Sequence, residues 1–236
     1  MLIDCLLMGS WHDGVDKNWK RRVKIEVLFF GVLFVLAAFC GTVCGEDLER
    51  KIAQAVEDFK AKRYDKVLEF LKETKREGRN DGRYAGFLLN LNGAVLTKQK
   101  DFDGARAAFR AALEVEPGMF AANYNLHEVS LLAGDYQAAV DGFSEMLMRD
   151  PSNELLSFKV FLSQLLAGDE AAAQTTLRRM PMGRLTPAWY FAKAAWFYVK
   201  KDRGRSQRYV DRARLFFPDK LEIYEESFRD LGWKIK

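Results

Sequence analysis

Cysteine is absent from the stretch Glu46–Lys236, because Cys5, Cys40 and Cys44 all precede it. This excludes a disulfide framework and a thiol nucleophile from the stretch. Histidine is nearly absent as well, since His127 is the only one after residue 45. Zinc sites that are built from histidine and cysteine ligands need more of these residues than the stretch contains.

Other catalytic signatures are also missing. No nucleophile elbow accompanies the lone histidine. Gly78, Gly82 and Gly86 lie near one another, but in a polar loop with no strand before it, unlike a phosphate-binding loop. The paired carboxylates Asp101 and Asp103 lie in a predicted turn, where aspartate commonly serves turns and helix N-caps. We therefore expect no enzyme, no cofactor and no metal site.

Proline is scarce, with 5 in 236 residues, and helix-forming residues dominate, so we expect an all-α fold. The stretch Gly86–Pro117 shows apolar and small residues at helical spacing, then a polar break, then a second helical run. Pro117 ends this unit because proline cannot continue a helix. The pattern predicts a hairpin of two helices, which cannot bury its apolar faces alone.

The hairpin repeats along the chain. Its small, aromatic and proline positions recur 34 residues later: Ala105, Phe109 and Pro117 become Ala139, Phe143 and Pro151. Further copies follow after 34 and then 33 residues, and one precedes at a spacing of 38. We predict a domain over 46–236 made of repeats at 48–81, 86–119, 120–153, 154–186 and 187–220, with a last helix at 221–236.

This period and these positions resemble the tetratricopeptide repeat family. The resemblance implies a right-handed α-solenoid of about five hairpins, in which 221–236 is the terminal capping helix. Two residues depart from the family pattern. His127 stands where the motif usually has a small residue, and we expect it to pack between helices. Leu185 stands where the motif has proline.

In this family the first helix of each hairpin lines a concave face that binds peptide segments. The resemblance therefore implies an apolar and aromatic groove that takes a protein or peptide partner. Its predicted lining residues are Tyr124, Glu128, Leu131, Phe158, Leu162, Leu165, Phe191 and Tyr198. The alternative is that these aromatic residues pack inside the stack. Serine at Phe158 and Phe191 should abolish partner capture without unfolding in the first case, and lower the melting temperature in the second.

The N-terminal region predicts export. Residues 1–22 are mixed in character, and 23–45 contains the apolar, uncharged run Val27–Gly45 after a basic flank. A signal peptide that is cleaved after Gly45 and a retained membrane anchor over 27–45 both fit. A translation start near Val23 would leave a signal of ordinary length. Either interpretation places the repeats in a bacterial cell envelope, in the periplasm or on the outer side of the inner membrane. Cys40 and Cys44 fit lipidation poorly, because neither follows a small residue.

Charge is spread unevenly. Residues 46–177 carry 17 Lys and Arg against 22 Asp and Glu, whereas residues 178–214 carry 11 against 2. Arg205, Arg208 and Arg212 are spaced to share one helix face. A solvated face, docking on anionic lipid and an acidic protein partner all remain open. We expect no nucleic-acid partner, since no such motif is present.

The expected function is that of a non-catalytic scaffold for protein–protein interaction in the cell envelope. A narrower alternative is an accessory subunit of an outer-membrane assembly or secretion machine. A hydrolase with an unrecognised site is a third alternative.

Overall fold

The computed structural model describes residues 43–77, 82–180 and 185–235. Within these ranges the chain forms eleven α-helices and no strand, so the all-α prediction is confirmed. The helices are α1 (Val43–Lys60), α2 (Tyr64–Arg76), α3 (Ala85–Lys98), α4 (Phe102–Val115), α5 (Phe120–Ala133), α6 (Tyr136–Arg149), α7 (Glu154–Leu166), α8 (Glu170–Arg179), α9 (Pro187–Val199), α10 (Arg203–Phe216) and α11 (Glu222–Asp230).

The described residues fall into two compact units, which are treated separately. One includes residues 43–73 and holds α1 with most of α2. Within it, Phe59 packs edge-on against Tyr64 across the turn, with ring centroids 5.4 Å apart. Arg63 pairs with Asp58 at 2.6 Å on the same turn. Aromatic packing and an ion pair thus close this first hairpin.

The second unit includes the described residues from Thr74 onward. In it, α3 to α10 form four hairpins in which each helix packs on its hairpin partner, and α7 also packs on α9. Small residues allow the close approach within a hairpin. A Cβ atom on Gly93 would lie 2.5 Å from Cε1 of Phe109, whose ring is fully buried. A glycine is therefore required opposite this phenylalanine.

Aspartate side chains cap the N-terminus of the second helix in three of the hairpins. The Asp101 carboxylate accepts a hydrogen bond from the backbone N–H of Gly104 at 3.0 Å. Asp169 and Asp202 accept the equivalent bonds at the starts of α8 and α10, at 2.9 and 2.8 Å. Each carboxylate satisfies an N–H that has no partner within its helix. The interpretation of Asp101 as a structural aspartate is thereby confirmed.

The hairpin turns pass through a left-handed residue. Four of these turns in the second unit use Lys100, Gly134, Gly168 and Lys201, with φ between 61° and 86°. Glycine adopts this conformation freely, whereas a residue with a Cβ is strained there. The two lysines therefore occupy positions that favour glycine.

A first prediction concerns these turns. Lys100→Gly should raise the free energy of unfolding by about 0.5 kcal/mol, and Gly168→Ala should lower it by about 1 kcal/mol. Gln99→Gly is the control, because Gln99 has φ −82° and gains nothing from glycine. Denaturant unfolding of the three variants measures these values. Stabilisation by both Lys100→Gly and Gln99→Gly would contradict the assignment of strain to Lys100.

The predicted segment 1–22 and residues 23–42 of the predicted segment 23–45 lie outside the described residues. Helix α1 begins at Val43, two residues before the predicted cleavage site at Gly45. Among the helices described, none combines the length and the apolar character that a bilayer crossing needs.

Candidate functional site

The C-terminal helix α11 lies against the first helices of the hairpins. The Phe158 ring of α7 meets the Tyr224 ring edge-on at 5.2 Å between centroids. Phe191 of α9 stacks on Tyr224 at 5.2 Å and meets Phe228 edge-on at 5.5 Å. Two aromatic side chains of α11, one turn apart, are thus held by aromatic residues of two different hairpins.

A second aromatic cluster holds the residues that follow α11. Trp233 stacks on Tyr198 with centroids 4.4 Å apart and ring planes 15° apart, and it meets Phe228 edge-on at 5.0 Å. The backbone N–H of Lys234 donates to the Tyr198 hydroxyl oxygen at 3.0 Å. The chain is therefore attached to α9 beyond the end of α11.

An ion-pair cluster joins α11 to the third helix. Lys98 Nζ donates to Glu226 Oε1 at 2.8 Å and to both Asp230 carboxylate oxygens at 2.9 Å. All three side chains are less than a fifth exposed. Burial acts to lower the pKa of Lys98, but the carboxylates of Asp230 and Glu226 outweigh it, and the pKa is raised. Lys98 therefore stays charged between two acids of α11.

A fully buried ion pair lies beneath α11. Lys159 Nζ donates to Glu128 Oε1 at 2.8 Å and to the Ser227 hydroxyl oxygen at 2.9 Å. Lys159 is 0% and Glu128 is 1% exposed. Burial raises the pKa of Glu128, and Lys159 acts against this rise. The second oxygen of Glu128 has no hydrogen-bond partner among the described residues.

We define the first-helix face as the residues of α3, α5, α7 and α9 that contact α11 or lie directly beneath it. Its members are Lys98, Glu128, Phe158, Lys159, Phe191 and Tyr198. The face combines aromatic rings with charged groups, and both kinds are matched by the helix that covers them. Such a surface can bind an amphipathic helix. Within the described residues, no cluster of three or more histidine, cysteine or acidic side chains could hold a metal ion.

The family model described as "Tetratricopeptide repeat" matches residues 96–159. This part of the chain carries tetratricopeptide repeat sequence. Over 91 residues it is 33% identical to cellulose synthase operon protein C of Escherichia coli (strain K12). That match covers 38% of this chain but only 8% of the relative's length.

Solved structures of tetratricopeptide repeat proteins share the fold. A thermophilic protein of this kind from Thermus thermophilus has a TM-score of 0.58 and 15% identity, over 78% of this chain and 98% of that one. A second, from Parabacteroides merdae ATCC 43184, has a TM-score of 0.53 and 16% identity, over 80% of this chain and 75% of that one. At these identities the likeness shows the solenoid fold alone.

The predicted groove residues need a correction. The sequence predicted an open groove, but the structure buries seven of the eight residues, and Tyr198 is half-buried. Tyr124 packs edge-on against Phe143 of α6 at 5.4 Å and stacks on Phe120, so its ring belongs to its own hairpin. Phe158, Phe191 and Tyr198 face α11. The remaining buried members are Glu128, Leu131, Leu162 and Leu165.

The last helix lies within the predicted range 221–236. Its contacts extend beyond the last hairpin, because Glu226 and Asp230 of α11 pair with Lys98 of α3, 128 and 132 residues earlier in the chain. Both of its polar anchors, Lys98 and Lys159, were absent from the predicted site. The available signal was the apolar stripe of α11 itself, with Tyr224 and Phe228 one turn apart, which requires a surface to cover it.

The predicted basic residues are exposed. Arg205, Arg208 and Arg212 all lie on the solvent side of α10. Arg205 also stacks over the Phe197 ring, with its guanidinium carbon 4.3 Å from the centroid, and pairs with Asp202. The structure therefore places these side chains where a partner could reach them.

His127 packs between helices, as the sequence predicted. Its ring meets Phe143 edge-on at 5.7 Å. Burial lowers the pKa of His127, with Glu145 acting against this shift. The space for the ring comes from Gly142, because a Cβ there would overlap Nδ1 of His127. The departure from the family pattern at position 127 is thus matched by a glycine on the partner helix.

A second prediction tests this match. Gly142→Ala should lower the free energy of unfolding by about 1–3 kcal/mol, because the new methyl group overlaps the His127 ring. Adding His127→Ala should restore part of the loss. Gly118→Ala is the control, since nothing lies within 4 Å of a Cβ at Gly118. Thermal and denaturant unfolding measure all three, and equal losses for Gly142→Ala and Gly118→Ala would contradict the overlap.

Proposed function

We propose that the protein is a non-catalytic scaffold of the bacterial cell envelope that holds a helical segment of a partner protein on the first-helix face. The single observation that carries this proposal is that the face already holds α11 through aromatic and charged contacts. A preformed stack of hairpins loses little conformational freedom when it binds a helix. Tetratricopeptide repeats are consistent with binding a protein or peptide.

The location is part of the proposal and is supported by the apolar run Val27–Gly45. Fractionation of cells with intact mass on each fraction tests it. A soluble envelope species that starts at Glu46 indicates a cleaved signal, and a membrane-bound species that keeps the run indicates an anchor. A full-length species confined to the cytoplasm would overturn the envelope location.

Partner binding is tested with a photoreactive residue placed at Val199, which is exposed and next to Tyr198. Met148, exposed on the second helix α6, is the matched control position. We expect a discrete covalent adduct with another protein in cells from position 199 and none from position 148. Equal adducts at both positions, or none at position 199, would count against a partner at this face.

A further inference from the structure

The contacts of α11 define the chemistry of the helix that the first-helix face accepts. Tyr224 and Phe228 lie four residues apart, and both enter the aromatic surface made by Phe158 and Phe191. A spacing of four residues places the two rings on one side of a helix. An accepted helix therefore needs two aromatic side chains one turn apart.

Charge adds a second requirement. Glu226 and Asp230 are also four residues apart, and both pair with the same ammonium group of Lys98. The bonds are short, and the three groups are mostly withdrawn from water. A carboxylate that is replaced by a cation here would face Lys98 with like charge. The accepted helix is therefore acidic along one flank of its aromatic stripe.

With α11 in place, one buried polar atom of the first-helix face still lacks a hydrogen bond among the described residues. Glu128 keeps one buried oxygen without a hydrogen-bond partner among the described residues. The nearby carboxylate of Asp230 also acts to raise the pKa of Glu128, which is an unfavourable interaction between two acids. A helix that brought a hydrogen-bond donor to this oxygen would satisfy a group that α11 leaves unsatisfied.

The length of α11 also favours exchange. It has nine residues, and a helix of this length is marginal in water without a surface to pack on. It follows α10 through the short link 217–221. Each hairpin from α3 to α10 has its own packing between its two helices. Release of α11 therefore leaves those hairpin contacts in place.

We propose that the first-helix face is a receptor for an acidic amphipathic helix of a partner protein, with two aromatic side chains one turn apart, and that α11 is its internal competitor. The inference rests on the proposed scaffold function and names the partner's chemistry. A partner that binds must displace α11, so its apparent affinity is reduced by the fraction of chains in which the face is free.

The test uses the full chain and a fluorescent synthetic peptide with the sequence of residues 219–235. Wild-type protein should bind the peptide at least tenfold more weakly than the variant Tyr224→Ala/Phe228→Ala, in which α11 has lost its aromatic anchors. Glu222→Ala/Arg229→Ala is the matched control, because these α11 side chains pair with each other, Glu222 is 74% and Arg229 47% exposed, and the other ion pair of Arg229 is to Glu225 of α11 itself. It should bind the peptide as weakly as wild type.

A second opened variant protects the test against misfolding. Glu226→Lys/Asp230→Lys removes the pairing with Lys98 and leaves the aromatic residues in place. It should also bind the peptide at least tenfold more tightly than wild type. Failure of both folded variants to bind, with melting curves that show intact hairpins, would overturn the proposal.

Charge reversal tests the direct contact. In the variant Tyr224→Ala/Phe228→Ala, the further change Lys98→Glu should abolish binding of the peptide. A peptide with lysine in place of Glu226 and Asp230 should restore binding. If Lys98→Glu left the affinity for the peptide unchanged, the proposed binding site would be overturned. If the wild-type chain formed a concentration-dependent dimer that the peptide dissociates, the first-helix face would bind a second copy of this chain. That result would overturn the proposal that it binds a different protein.

The two proposals can fail separately. An adduct from position 199 in cells, together with no peptide binding by either opened variant, would leave the scaffold function standing and remove the acidic helix as its partner. Peptide binding by both opened variants without any adduct would show the receptor chemistry and argue against a protein partner in the cell.

Discussion

Replacing Lys159 alone with methionine should lower the free energy of unfolding by about 3–5 kcal/mol, because it leaves the Glu128 carboxyl group in the interior without its ion-pair partner. Lys159 and Glu128 have no more than 1% exposure, so water cannot take the place of the missing partner. The double variant Lys159→Met/Glu128→Leu should lose much less free energy of unfolding, since it removes both members of the ion pair together. Chemical denaturation of the two single variants and the double variant gives the coupling energy.

The pH dependence of Lys159→Met follows from the same pair. Burial already raises the pKa of Glu128 in the folded chain, and loss of Lys159 removes the interaction that acts against this rise. A carboxyl group with a raised folded pKa favours folding below its unfolded pKa of about 4.3, and this contribution is lost as the pH rises towards the folded pKa. The difference in free energy of unfolding between the wild type and Lys159→Met should therefore be smaller at acidic pH than at neutral pH.

The control for this prediction is Lys72→Met, which changes an exposed lysine in the interior of α2. We expect its effect to stay within about 0.5 kcal/mol at every pH. If Lys159→Met lowered the free energy of unfolding by no more than Lys72→Met does, the burial and pairing of Lys159 would be refuted.

Much of the hairpin architecture could be predicted because it is local. Gly93 and Phe109 lie sixteen residues apart, and their sizes must match wherever two helices meet at a short turn. The same holds for Asp101, which serves the helix that follows it directly. A repeat of such pairs along the chain therefore indicates the hairpins from the sequence alone.

The place of α11 could not be predicted in the same way. An apolar stripe shows that a helix must be covered, but it does not show by which surface. The partners of Glu226 and Ser227 lie on α3 and α7, 128 and 68 residues away. The predicted aromatic positions lie on the first helices, but Phe158, Phe191 and Tyr198 are covered by α11 and the residues after it, so they do not line an open groove.

Replacing Phe191 with alanine should lower the free energy of unfolding by about 3–5 kcal/mol, because the ring is fully buried between Tyr224 and Phe228. The sequence-based hypothesis of an open groove expected no such loss from serine at Phe158 and Phe191. In the structure both rings are covered, so the double serine variant should be strongly destabilised, with effects that do not add because the two rings share Tyr224.

Amide hydrogen exchange locates the effect of Phe191→Ala. Protection should fall first in 222–230, because the Phe191 ring meets Tyr224 and Phe228 of α11, whereas Phe143→Ala should act on α5 and α6 through Tyr124. Phe216→Ala is the exposed control and should cost little. A uniform loss of protection across all hairpins in Phe191→Ala would show that α11 and the stack unfold as one unit, and release of α11 alone would show that the first-helix face can be opened while the hairpins stay folded.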